Sequence, residues 1–102
     1  MPCKLEMYLE MQMPPVKFKR VRPGAREPVF ATDGSRAADL FACIDKPIEV
    51  GSAPVTIPTG IAVEIPPGWA GVLMDRSSMF CMGYVHHGAG FIDDDYRGEI
   101  WV

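Results

Sequence analysis

No apolar run in this chain of 102 residues approaches the roughly 18 residues that a membrane-spanning helix needs. Glu6 and Glu10 also break the N-terminal region where the apolar core of a signal peptide would have to lie. The expectation is a soluble, cytoplasmic protein with no membrane partner. An excess of positive charge is missing too, since 10 Lys and Arg stand against 13 Asp and Glu for a net charge of −3. That balance gives no general field for a nucleic acid, so any phosphate would have to be met by a local arginine cluster, and a small anionic substrate fits better than a polymer. Cysteines are scarce as well. Cys3, Cys43 and Cys81 are odd in number and unpatterned, which suits reduced thiols rather than a disulfide framework. Cys81 could be drawn with His86 and His87 as a partial zinc site, but no CxxC pair supports it.

What the sequence does have is punctuation: ten prolines and ten glycines, with apolar runs of four to six residues between them. That pattern predicts one all-β domain of many short strands and argues against a helical bundle. Leu5, Met7, Leu9, Met11 and Met13 alternate with polar residues, a strand period, before Pro14-Pro15 breaks the chain. Residues 1–15 are therefore set apart as an N-terminal extension or arm, and 16–102 as the β domain. In the first strand Val16 and Phe18 are expected inward and Lys17 and Lys19 outward, with the basic run to Arg22 a solvated face, ended by Pro23-Gly24. A polar turn at 31–35, a short strand Ile48-Glu-Val50, a half-buried strand carrying Ile61, Val63 and Ile65, and a tight reversal at Pro66-Pro67-Gly68 follow. His86 and His87 fall just before turn glycines and read as surface residues rather than a pH-sensitive site.

Gly88-Ala-Gly-Phe-Ile-Asp-Asp-Asp-Tyr-Arg-Gly-Glu99 is the stretch around which the rest is organised. Extended, it would place Asp93 and Asp95 on one face and Asp94 on the other. Adjacent carboxylates repel, which is tolerable only with solvent, an arginine or a cation, and one of them shielded from water would suit general-base work. An EF-hand is excluded, because counting from Asp93 puts Arg97 at the fifth position, where an oxygen ligand belongs, and the twelfth beyond Val102. Two further sites stand out. Asp39 is a lone carboxylate in Ala37-Ala-Asp-Leu-Phe-Ala42 and needs a partner if buried, unless it only forms an Asx turn. Asp75-Arg-Ser-Ser-Met79 follows a strand and would open a short helix, where Arg76 and the hydroxyls of Ser77 and Ser78 could cradle a phosphate. The plainer alternative is a serine cap with Arg76 paired to Asp75.

The run Gly90-Phe-Ile-Asp-Asp-Asp-Tyr-Arg-Gly-Glu-Ile100 closely resembles the third motif of the trimeric dUTPases. Ser35-Arg-Ala-Ala-Asp-Leu-Phe-Ala42 resembles the first motif and Asp75-Arg-Ser-Ser-Met79 the second, in family order, with 58–71 similar to the central hairpin. The resemblance covers 16–102. It implies a compact, distorted jelly-roll or β-clip barrel with little helix, a homotrimer, and hydrolysis of dUTP to dUMP and pyrophosphate. By resemblance, Mg2+ arrives with the triphosphate and is steadied through water by Asp39, while Arg76, Ser77 and Ser78 hold the phosphates. Asp93 is the base that activates water for attack on the α-phosphorus. Backbone groups around Phe91, Ile92 and Trp101 pair with the uracil edge, and Tyr96 lies under the deoxyribose, leaving no room for a 2′-hydroxyl. Arg97 and Asp95 are expected as a structural ion pair.

The sequence departs from the family pattern in three places. Ala37 stands where glycine is usual, and Ser78 where glycine is more common. The segment from Gly83 to Gly90 is one residue short, and the Asn that helps read uracil is missing, with His87 or Gly88 nearest its place. Two alternatives stay open: a dCTP deaminase, which shares Arg-Ser-Ser but for which Glu99 is a poor candidate, and a non-catalytic nucleotide-binding module or truncated remnant. No fourth motif or glycine-rich arm follows Val102, so weak turnover is expected of the chain alone.

Overall fold

The computed structural model describes residues 14–86 and 90–102. The strand expected over 5–13, and with it nearly all of the N-terminal arm, lies outside the described residues, as do His87 and Gly88. Among the described residues, five strands and one short helix make up the regular structure: β1 (Lys17–Arg20), β2 (Pro58–Glu64), β3 (Gly71–Val72), α1 (Ser77–Cys81), β4 (Phe91–Ile92) and β5 (Glu99–Trp101). The all-β expectation holds. Among the described residues the strands form an antiparallel sheet in the order β1-β2-β5 and a separate two-stranded ribbon, β3-β4, rather than a closed barrel. No helix among them is long and apolar enough to cross a membrane.

β2 is central because both of its faces are covered. Ile61 is fully buried, Ala62 and Thr59 nearly so, and the alternation expected of the strand appears only towards Val63 and Glu64. Thr59 can be buried because its hydroxyl donates to the Ile100 carbonyl at 2.7 Å and accepts from the Ile61 amide at 3.3 Å. Ile65, Ile92 and Ile100 form the cluster on which sheet and ribbon meet, with Leu40, Val63 and Leu73 packed against it. Pro66-Pro67-Gly68 forms the expected tight turn: the Trp69 amide donates to the Pro66 carbonyl at 3.1 Å and Gly68 has φ +84°. The polar turn also stands, with the Ser35 amide donating to the Thr32 carbonyl at 3.0 Å.

Two expectations about the outer part of the chain are corrected and a third is refined. β1 forms where expected, but all four of its residues are exposed, and Val16 and Phe18 are not turned into a core, because among the described residues β1 is an edge strand with nothing packed on it. Ile48-Glu-Val50 is not a strand: it is exposed and has no neighbour among the described residues to complete a ladder. Arg22 is exposed, as expected of the basic run, but it is not left to solvent alone: its Nε donates to Glu99 at 2.6 Å.

Candidate functional site

Ribbon and sheet converge on a cleft of about 260 Å³ lined by Leu73, Phe91, Ile92, Asp93, Tyr96, Glu99, Ile100 and Trp101. Five residues singled out in the sequence, Phe91, Ile92, Asp93, Tyr96 and Trp101, thus share one wall system. They come from β4, the turn after it and β5, and it is that turn which folds the two strands onto one space.

The strand registers decide which main-chain groups are free there. Ile57 and Val102 exchange both backbone hydrogen bonds, at 2.6 and 2.9 Å, so the next pair inward, Pro58 and Trp101, is a non-hydrogen-bonded one. The N–H and C=O of Trp101 therefore point away from β2, to the open edge of β5. Proline at 58, with no N–H to offer, suits that position. In the ribbon the Leu73 amide donates to the Gly90 carbonyl at 2.7 Å, which makes Val72 and Phe91 the next, non-hydrogen-bonded pair. Phe91 likewise presents its N–H and C=O to an open edge. Two edges with free donors and acceptors, both bordering one cleft, are what a planar heterocycle needs for in-plane hydrogen bonding.

The acidic run does not continue as a strand. It turns at Asp94 and Asp95, the Tyr96 amide donating to the Asp93 carbonyl at 3.1 Å, so Asp93 and Asp95 do not share a strand face. The three acids still part company. Asp93 is exposed and faces the cleft, whereas the carboxylate of Asp94 accepts the Gly68 amide at 2.8 Å and ties the turn to the β2–β3 reversal. Arg97 pairs with Glu64 at 3.8 Å and donates to the Asp94 carbonyl at 2.7 Å, which replaces the ion pair expected with Asp95. Tyr96 donates its hydroxyl to the Glu99 carbonyl at 2.7 Å. Its ring lies over Gly98, where a Cβ would stand 2.6 Å from the hydroxyl oxygen.

Asp39, Arg76, Ser77 and Ser78 are not among the lining residues of the cleft. Two of them meet elsewhere: Arg76 Nη1 lies 3.7 Å from Asp39 Oδ2, joining the first and second sequence motifs. Asp39 is held by a backbone bridge to Val29, its amide donating at 2.7 Å. Arg76 occupies the residue ahead of α1, and Ser77 and Ser78 open that helix exposed, with no side-chain cap. The alternative pairing of Arg76 with Asp75 does not form, because Asp75 is taken by His86. Asp75 Oδ1 accepts the His86 amide at 3.0 Å and lies 2.8 Å from its ring Nδ1. The backbone N–H first, and the ring second, hold the Asp75 carboxyl below its ordinary value of 3.8. His86 is accordingly half-buried in a clasp at the neck of the 76–85 loop rather than a plain surface residue.

Sequence reasoning missed Glu99 as a cleft residue and Arg22 as its partner. The carboxylate of Glu99 accepts both Arg22 Nε at 2.6 Å and the Gly60 amide at 2.8 Å. The arginine chiefly, and the amide after it, hold its carboxyl below the ordinary 4.5. A usable signal was present: Glu99 is two residues from Trp101 on a strand, so the two share a face, and a carboxylate on a partly covered face calls for a cation.

The sequence model of the dUTPase family matches residues 26–102, well over half of the chain. A deoxyuridine 5′-triphosphate nucleotidohydrolase of Fowl adenovirus A serotype 1 is 34% identical over 101 residues, 99% of this chain and 54% of that protein. Enzymes of the same name from Leptothrix cholodnii and Bordetella avium are 42% and 39% identical, covering 84% and 74% of this chain and 60% and 53% of theirs. The chain thus spans between about half and three fifths of the length of these relatives. With the three motifs, their order and the matched span in agreement, this chain belongs to the dUTPase family.

Proposed function

We propose that the chain supplies the base-reading and water-activating wall, together with the phosphate-binding loop, of an enzyme that hydrolyses dUTP to dUMP and pyrophosphate. The observation that carries this reading is the cleft in which Asp93 stands beside the free main-chain edges of Phe91 and Trp101 and the fixed ring of Tyr96. Uracil would pair along those edges, as it does not need a charged side chain to be read. The deoxyribose would rest on Tyr96, whose pinned hydroxyl keeps the ring from yielding to a 2′-hydroxyl. Asp93 would take a proton from water as the new bond to the α-phosphorus forms and the bond to the bridging oxygen of pyrophosphate breaks.

Arg76, with Ser77 and Ser78, suits the departing phosphates: a guanidinium that is 60% exposed and 3.7 Å from its carboxylate is loosely held and can exchange that partner for phosphate. Because this loop does not line the cleft, a complete site is best formed between copies, one giving the cleft and a neighbour giving Arg76 and Asp39, in a homotrimer. Among the described residues no three His, Cys, Asp or Glu gather to cage a metal. Asp39 is nonetheless a hard oxygen donor beside the phosphate-binding arginine, which fits Mg2+ carried by the triphosphate and touched through its water shell. Bound there, the ion would neutralise phosphate charge. The deaminase alternative is disfavoured by Glu99, whose carboxylate is engaged by Arg22 and Gly60 and is not free to shuttle protons. Incubation with dUTP and with dCTP, resolving pyrophosphate from ammonia, tests the proposal: pyrophosphate from dUTP is expected, and ammonia from dCTP, or no product from either, would overturn it.

A further inference from the structure

We propose that Arg22, which precedes the family-matched span, is a positioning residue that holds Trp101 and Glu99 as the base-reading wall of the cleft, and so governs nucleobase binding without governing phosphate binding. The inference rests on the nucleotide-binding reading of that cleft. Arg22 begins a tight turn in which Pro23 and Gly24, at φ +79°, occupy the two corners and the Ala25 amide donates back to the Arg22 carbonyl at 3.3 Å. Just before it, the Val21 amide donates to the Gly60 carbonyl at 2.7 Å, so the arginine leaves the backbone from a fixed point. Its Nε reaches Glu99 at 2.6 Å, and its guanidinium carbon lies 4.8 Å from the centre of the Trp101 ring.

One side chain thus grips two residues of β5 that share a face, opposite the buried Ile100. The grip matters because β5 is an edge strand. β2 holds one side of it, and the other side, to which the N–H and C=O of Trp101 point, has no strand among the described residues to fix its position. Arg22 supplies the missing restraint through the side chains. Arg76 and Asp39 are not among its contacts, so its loss leaves the phosphate-binding loop as it is.

The test uses a Trp69→Phe background, leaving Trp101 as the sole tryptophan, and compares Arg22→Ala and Arg22→Lys. Calorimetry is run with a non-hydrolysable dUTP analogue and, separately, with inorganic tripolyphosphate. Arg22→Ala is expected to weaken the analogue about ten-fold, the scale of a lost cation–π contact and its restraint, with tripolyphosphate essentially unchanged and Trp101 emission shifted in the free protein. Arg22→Lys keeps charge against Glu99 but not the planar stack, and should fall between wild type and alanine. It carries the test if the alanine variant fails to fold. Variants that bind the analogue like wild type, or that lose analogue and tripolyphosphate equally, would overturn the inference alone. A wild type that binds no analogue would overturn the nucleotide reading of the cleft, and this inference with it.

Discussion

Tyr96 is held by two contacts made close to it in the chain, the hydroxyl on the Glu99 carbonyl and the ring face on Gly98. A methyl group at 98 has no room without moving that ring. If the chain prefers dUTP over UTP as proposed, Gly98→Ala is expected to narrow that preference by about ten-fold, through loss of a snug sugar contact, measured as the ratio of their binding constants. A variant with the wild-type ratio would show that Tyr96 does not sense the 2′ position. The neighbouring acids make a second comparison. Asp93→Asn should keep nucleotide affinity while turnover falls about 10²-fold or more, the usual range for a lost general base. Asp94→Asn keeps an oxygen to accept the Gly68 amide and should leave turnover near wild type. The reverse pattern would mean that the turn presents the other carboxylate to water. That Asp93 and Asp94 differ was legible in the sequence as an expectation of opposite strand faces. The physical reason turned out to be another one, a turn that sends one acid to the cleft and the other to an amide.

At the scale of elements, the joint between the β1 end and β2 is where the fold is least tolerant. Gly60 has φ +70°, and a Cβ there would stand 2.6 Å from the Cβ of Ala25. Gly60→Ala is expected to lower stability by about 2 kcal/mol or more, combining left-handed strain with overpacking, as read from urea unfolding. Two carboxylates, Glu99 at this joint and Asp75 at the neck of the 76–85 loop, are expected to make stability depend on pH. Glu99 and Asp75 both have folded-state pKa values lowered by hydrogen bonds, so their contributions are fully present above 4.5 and 3.8 and are lost as pH falls through the folded values. The melting temperature should drop on the acid side of 4.5, and Glu99→Gln should flatten that drop; an unchanged slope would remove Glu99 from the account. The later half of β2 and the Pro66–Gly68 reversal were readable because local chemistry dictates them: apolar alternation and proline-glycine turn chemistry. Ile48-Glu-Val50 was not, since three alternating residues become a strand only if another strand is there to pair with them. Nor was the contact of Arg22 with Glu99, because an exposed basic run looks the same whether its last member meets only water or also a distant carboxylate.

The described residues, taken together, bury few apolar side chains. The buried hydrophobic residues among them are Ala25, Ile61, Ala62, Ile65, Ile92 and Ile100, while Phe91 and Met74 are 73% and 79% exposed. The sequence-based inward placement of Val16 and Phe18 failed for the same reason: amphipathic residues identify a face to be covered but not the molecule that covers it. Exposed apolar surface on this scale, with a cleft and a proposed phosphate-binding loop that do not meet in one chain, is accounted for if copies associate and complete one another's sites. The most direct test of that account is pyrophosphate release from dUTP by Asp93→Asn, by Arg76→Ala, and by the two co-refolded in equal amounts. Each variant alone should be about 10²-fold below wild type. In a randomly mixed ring, a site has its intact cleft half the time and its intact neighbouring loop half the time, so the mixture should recover to about a quarter of the wild-type rate. A mixture no faster than the single variants would contradict the shared site, and a wild type that releases no pyrophosphate from dUTP would contradict the proposed reaction itself.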